Sequence, residues 1–138
     1  MNGRPVLRRL RRALDRNAQV PPDVSAWVAR ALMEFENGER ADIALGLRLT
    51  EEDRAARDEH IARAAEMMPS RLSVAACIAM MHKSVRGLEA MTLERGAAEH
   101  LGESWQGEIL KALRYGDLPG HRRLHSICSL SRIAKSES

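Results

Sequence analysis

The chain has 138 residues, enough for one hydrophobic core, and its 3% aromatic content predicts helix and excludes a β-rich fold. Two cysteines exclude a disulfide-stapled secreted scaffold and favour a cytoplasmic location, and no apolar run approaches the roughly 20 residues of a membrane span. The net charge of +3 is small but unevenly placed, which bears on partners more than on the fold.

Three blocks of alternating charge follow one another along the chain. Residues 1–16 carry six arginines and one aspartate, a net charge of +5. Residues 17–70 carry six basic and eleven acidic residues, a net −5, and residues 71–138 carry ten basic and seven acidic residues, a net +3. The preference for arginine over lysine also indicates a GC-rich bacterial coding bias. The acidic middle block offers the N-terminal arginines a partner within their own chain.

The first predicted element is a basic amphipathic helix or arm within residues 1–18. Its apolar residues share one arc at about 100° per residue, with Val6, Leu10 and Leu14 as the stripe. Pro5 suits a first helical turn, so the helix begins at Arg4 or Pro5. The rest of its surface carries the six arginines: Arg4, Arg8, Arg9, Arg11, Arg12 and Arg16. One interpretation is that the arginines face a polyanionic partner, whose negative charge would stabilise the start of this helix. The alternative is that the leucines pack into the protein and the arginines are simply solvated.

Three further helices are predicted in the acidic middle of the chain. The second helix begins at Pro22 or Asp23 and stops at residues 37–38, where Asn-Gly favours a helix end. A short apolar piece at residues 41–47 predicts one or two turns. Thr50 and Asp53 match a capping box, so a long helix runs from there to about Met68.

Residues 71–102 keep a helical pattern that starts at Ser70. An interior glycine costs about 1 kcal/mol relative to alanine, so a break is expected near residues 84–87 or at Gly96. The remaining residues, 103–132, predict a helical hairpin. In its turn Gly116 would adopt positive φ, Asp117 would cap, and Pro119 would lie in the first turn of the second helix.

The order of residues 112–127 loosely resembles a DNA-binding helix-turn-helix, whose second helix enters the major groove. The spacing departs from that motif, because the apolar residues Leu124 and Ile127 come two positions late. An ordinary helical hairpin is therefore the alternative. In the helix-turn-helix interpretation, the exposed reading residues would be His121, Arg122, Arg123 and Ser126.

Metal and catalytic sites have little support in the sequence. His121, His125 and Cys128 share one helical face, but a closed zinc site needs a fourth ligand and none has a supporting motif. No phosphate-binding loop, nucleophile elbow or zinc-protease motif occurs. We therefore expect no metal, no cofactor and no enzymatic activity.

These observations predict one all-α bundle of five to seven helices over residues 1–138. The leading hypothesis is a small bacterial or mobile-element nucleic-acid-binding protein, or a helical subunit of a nucleoprotein complex. The N-terminal arginines would contact phosphates, and Arg122 and Arg123 would add a second patch. The alternative is a non-enzymatic interaction module, such as a phage-type inhibitor or adaptor, that docks its N-terminal apolar stripe on a partner protein.

Overall fold

A computed structural model describes residues 2–92 and 96–137, with side chains as far as residue 133. These residues contain eight helices and no strand, which confirms the all-α class and exceeds the predicted five to seven helices. No described helix is long and apolar enough to cross a membrane. The helices are α1 (Arg4–Asp15), α2 (Pro22–Glu36), α3 (Ala41–Ala44), α4 (Glu51–Met67), α5 (Val74–Met91), α6 (Ala97–Leu101), α7 (Trp105–Tyr115) and α8 (His121–Glu137).

The main core is built by four long helices. Helices α4 and α5 each pack against both α7 and α8, and α6 packs against α7. Thr50 caps α4 in a complete capping box with Asp53, as the sequence predicts. Burial of the inner faces removes apolar side chains from water and supplies most of the stabilisation. The largest fully buried side chains here are Ile61, Met68, Met81, Ile109, Leu110, Leu113 and Leu124.

A second, smaller core joins α1 to α2. Val6 is 1% exposed and forms a cluster with Val24, Trp27 and Ala31, while Leu7, Leu10 and Leu45 pack around it. Helix α1 therefore turns most of its apolar arc into the protein.

The segment before α1 is fixed by hydrogen bonds to the end of α7. The Asn2 backbone N–H donates to Arg114 O at 2.8 Å, and the Asn2 side chain donates to Leu113 O at 2.9 Å. The Gly3 N–H donates to Gly46 O at 3.0 Å. The two Asn2 bonds satisfy carbonyls that the last turn of α7 leaves without a partner, and all three bonds set the position of the first arginines.

Helix α5 differs from its predicted bounds. Its N-cap is Ser73 rather than Ser70, and it continues through Gly87 to Met91, so the structure excludes the first of the two expected break positions, residues 84–87. Burial of Met81 and Leu88 outweighs the glycine cost. The break falls near Gly96, whose φ of +80° suits glycine at the start of α6. The part of the predicted helix at residues 93–95 lies outside the described residues.

The α7–α8 connection also departs from its prediction. Gly116 has φ −177°, an extended conformation rather than the expected positive φ, and Pro119 precedes α8 instead of lying in its first turn. Asp117 binds side chains from the N-terminal segment rather than capping a helix. Five residues, 116–120, separate the two helices. A helix-turn-helix turn has three or four, so the structure does not confirm that resemblance.

Candidate functional site

Arg8 is the most highly connected of the N-terminal arginines. Its Nη2 donates to Glu89 Oε1 at 2.6 Å and to Asp117 Oδ1 at 3.1 Å, while its Nη1 donates to Asp117 Oδ2 at 3.2 Å. Paired bonds of this kind fix the plane of a guanidinium as well as its position. Arg8 therefore connects α1 to α5 and to the α7–α8 connection.

The two carboxylates that bind Arg8 are held in an electropositive environment. Burial raises the pKa of Asp117, but hydrogen bonds from Arg8 and Asn2 and the nearby charge of Arg4 outweigh it, so this pKa lies below its usual value. The hydrogen bond to Asp117 likewise raises the pKa of Arg8. Glu89 is 8% exposed and has Arg8 as its close partner. The Arg8–Asp117 pair is therefore ionised across the neutral pH range.

The other α1 arginines differ in what they contact. Arg9 pairs with Asp23 at 2.9 Å and lowers the pKa of that carboxyl, Arg11 pairs with Asp15 at 3.6 Å, and Arg12 lies 3.7 Å from Glu89. In the described part of the chain, Arg4 and Arg16 are exposed and form no ion pair with a carboxylate. Of the carboxylates that pair with the α1 arginines, only Asp23 among the described residues belongs to the acidic middle block, residues 17–70. Asp15 lies in α1 itself, and Glu89 and Asp117 lie further along the chain.

The predicted residues of α8 lie at its start and face solvent. His121, Arg122, Arg123 and Ser126 are all exposed. Arg123 donates from Nη2 to Asp58 Oδ2 of α4 at 2.9 Å.

One chain of polar contacts joins the two basic segments, and we call it the basic network: Arg8, Arg12, Arg57 and Arg123 with Asp58, Glu89 and Asp117. Arg57 is its centre, because its Nη1 donates to Asp117 O at 3.1 Å and its Nε donates to Asp58 Oδ1 at 3.1 Å. Asp58 accepts Arg123 through its other oxygen, so α1 and α8 are linked through α4. Comparison with protein-family models, curated proteins and solved structures finds no match to this chain.

Sequence reasoning missed Arg57 and Asp58, although the network depends on both. Their side chains are only 12% and 16% exposed, unlike ordinary solvated helix charges. In sequence they are one arginine and one aspartate on a highly charged helix. Their partners are about 60 residues away, so only the packing of α4 against α8 identifies them.

A surface cleft of about 550 Å³ lies beside the network, between α1 and α5. Arg8, Arg12, His82 and Arg86 line it together with Glu89 and Asp117. Arg86 is exposed and has no carboxylate partner among the described residues. The cleft therefore presents more guanidinium than carboxylate groups to solvent.

The sulfur and imidazole groups show no metal geometry. Cys128 is fully buried, and burial raises the pKa of its thiol to about 11, so the thiolate that zinc needs is disfavoured. His121 and His125 are exposed with ring centres 6.2 Å apart. Within the described residues, no group of three metal-ligating side chains converges.

A partly buried imidazole–carboxylate contact joins α4 to α7. His60 Nδ1 lies 2.7 Å from Glu108 Oε2, and the His60 ring stacks on Tyr115 at 5.9 Å. Burial raises the pKa of Glu108, but His60 and Lys111 outweigh it, and the pKa lies below its usual value. A carboxylate that stays ionised here serves to hold the two helices together.

The α1 stripe proposed for docking is divided between core and surface. Val6 is 1% exposed and Leu10 is half-buried, whereas Leu14 is 62% exposed. Docking the whole stripe in a partner groove would require α1 to separate from α2 and expose the small core.

Proposed function

We propose that this chain binds the phosphate backbone of a nucleic acid through the basic network and the exposed arginines around it. The observation that carries the proposal is the contact chain from Arg8 through Arg57 to Arg123. It makes one site of two basic segments more than 100 residues apart in sequence.

The composition of the basic network supports the proposal. Four guanidinium groups share three carboxylates, since Glu89 lies near both Arg8 and Arg12 and Asp58 binds both Arg57 and Arg123. Shared carboxylates hold the guanidinium planes in place, so less conformational entropy is lost when their remaining N–H groups bind a phosphate.

The surroundings of the network add three guanidinium groups that lie outside ion-pair distance of any described carboxylate. Arg4, Arg86 and Arg122 are exposed and form no ion pair in the described part of the chain. The first turn of α8 contains no acidic residue, so the positive end of its dipole adds to the field of Arg122 and Arg123. Contacts between arginines and phosphates position the backbone of a nucleic acid and carry no sequence preference by themselves.

The test is fluorescence anisotropy of labelled duplex and single-stranded DNA and RNA at low salt. The variant Arg12→Ala/Arg122→Ala removes one partly exposed and one exposed charge and keeps Arg8 with its short bonds to Glu89 and Asp117. It should weaken binding and reduce the slope of log K against log salt by about 1 for each arginine.

The matched control is Arg30→Ala/Arg63→Ala, which removes the same charge outside the basic network. Both arginines are exposed, and among the described residues their ion-pair partners are Glu34 and Glu59 on their own helices. Equal loss of affinity in the two double variants would contradict the proposal. A native partner that stays bound after nuclease treatment, and also in the Arg12→Ala/Arg122→Ala variant, would overturn it in favour of the adaptor alternative.

A further inference from the structure

A second basic cleft, which the sequence pattern does not indicate, lies where α1 begins beside the α3–α4 connection. Its volume is about 630 Å³. Four arginines line it together with one carboxylate, Asp42, and two leucines. We call it the arginine cleft and define it by Arg4, Arg48, Arg54 and Arg57.

The charges of the arginine cleft are poorly neutralised by the protein. Asp42 is already bound by Arg40, whose Nη2 donates to Asp42 Oδ2 at 3.1 Å. Among the described residues, no carboxylate pairs with Arg4, Arg48 or Arg54. Arg57 is paired with Asp58, whereas the charges of Arg4, Arg48 and Arg54 repel one another, so a bound anion would relieve that repulsion.

Arg57 gives the arginine cleft a fixed element. Its side chain is 12% exposed and is held by Asp58 and by the Asp117 carbonyl, so its guanidinium is oriented before any ligand arrives. Arg48 and Arg54 are exposed and can adjust to a ligand on the open side. Leu47 and Leu49 lie beside the arginines in the same cleft.

We propose that the arginine cleft binds a phosphate group. Guanidinium forks match the oxygens of phosphate and form paired, charge-assisted hydrogen bonds with them. The phosphate can come from a nucleic-acid strand or from a free phosphate compound. The inference rests on the proposed function for the first of these sources, while the site itself stands on the four arginines.

The test uses pyrophosphate as the probe and follows the arginine Nε–Hε resonances of the full chain by NMR at low salt. Saturable shifts are expected at Arg48 and Arg54. Because their side chains have no ion-pair partner among the described residues, the Arg48→Ala/Arg54→Ala variant should keep its circular dichroism spectrum. It should bind pyrophosphate about tenfold more weakly or worse, whereas Arg30→Ala/Arg63→Ala should bind as the parent chain does.

A second arm identifies the source of the phosphate. If Arg48→Ala/Arg54→Ala also weakens oligonucleotide binding, the arginine cleft holds a strand phosphate. If only pyrophosphate binding falls, it holds a free phosphate compound. Comparing 5′-phosphorylated with 5′-hydroxyl oligonucleotides further separates a terminal phosphate from an internal one.

Two results would overturn the proposal that the arginine cleft binds a phosphate group. One is the absence of saturable pyrophosphate shifts at Arg48 and Arg54, and the other is an equal loss of binding in the control variant. Oligonucleotide binding that survives in either case would leave the proposed function standing. Conversely, pyrophosphate binding without any oligonucleotide binding would contradict the proposed nucleic-acid binding, but it would support phosphate binding in the arginine cleft.

Discussion

Gly3 occupies a position that has no room for a side chain. A Cβ built there would lie 1.7 Å from Leu45 O and 2.7 Å from Trp27 Cη2. The first of these atoms belongs to the backbone, so the segment before α1 would have to move. Because the Asn2 bonds to α7 lie in the same segment, the constraint at Gly3 also governs where the first arginines lie.

Gly3→Ala should therefore destabilise the fold by about 1–3 kcal/mol through overpacking. The measurement is urea unfolding followed by circular dichroism. Gly87→Ala is the matched control, since a Cβ at that residue would have no neighbour within 4 Å. Equal stability of Gly3→Ala and the parent chain would show that the N-terminal segment is not held as described.

Asp117 links acid stability to the Arg8 bridge. Its pKa is lower in the folded chain than the value of about 3.9 in an unfolded one. The ionised carboxylate therefore stabilises the fold above about pH 4, and this contribution is lost as the pH falls through the folded pKa. Asp117→Asn should be less stable than the parent at pH 7, and the difference should shrink in acid.

Urea unfolding between pH 7 and pH 2 measures that difference directly. Asp15→Asn is the comparison, because Asp15 is 68% exposed and lies 3.6 Å from Arg11. Exposed pairs contribute little, so its effect should stay below about 1 kcal/mol. A stability difference for Asp117→Asn that does not change with pH would contradict the ionised bridge.

At the scale of helices, local sequence signals succeed where a cap or proline decides the boundary. Pro5, Pro22 and the Thr50 capping box predict the starts of α1, α2 and α4, and the structure confirms them. The start of α5 and its passage through Gly87 depend on packing against α7 and α8, so the local pattern places the start too early and leaves the break open between residues 84–87 and Gly96.

Gly87 lies on the exposed side of α5, where alanine fits the helix better than glycine does. Gly87→Ala should raise the free energy of unfolding by about 0.5–1 kcal/mol, because alanine loses less backbone entropy. Thermal and urea unfolding both report this change. A loss of stability instead would indicate that the helix is distorted at this residue.

Across the whole molecule, the predicted site residues fall into two groups. Charge and helical spacing could predict that the six N-terminal arginines lie on one helix and that Arg122 and Arg123 lie on another. Their connection could not, because Arg57, Asp58 and Asp117 meet only after α4, α7 and α8 have packed. Likewise, Arg48 and Arg54 show no amphipathic pattern, and only the fold brings them near Arg4.

The same long-range contacts explain why the N-terminal arginines are divided between two roles. Arg8 and Arg9 bind carboxylates of their own chain and hold α1 in place, whereas Arg4 and Arg16 remain exposed without an ion pair among the described residues. The charge available to a partner is therefore smaller than six arginines suggest. It is supplemented by arginines from α4, α5 and α8.

The salt dependence of nucleic-acid binding is the sharpest test of a phosphate-binding face on this protein. Each phosphate neutralised on duplex DNA contributes about −0.9 to the slope of log K against log salt, so three or more contacts predict a slope of about −3 or steeper. Anisotropy titrations of the parent chain from about 50 to about 200 mM salt measure it, a range over which a slope of about −3 lowers the affinity about fortyfold or more. A flat slope, or no binding even at the lowest salt, would contradict a phosphate-binding face.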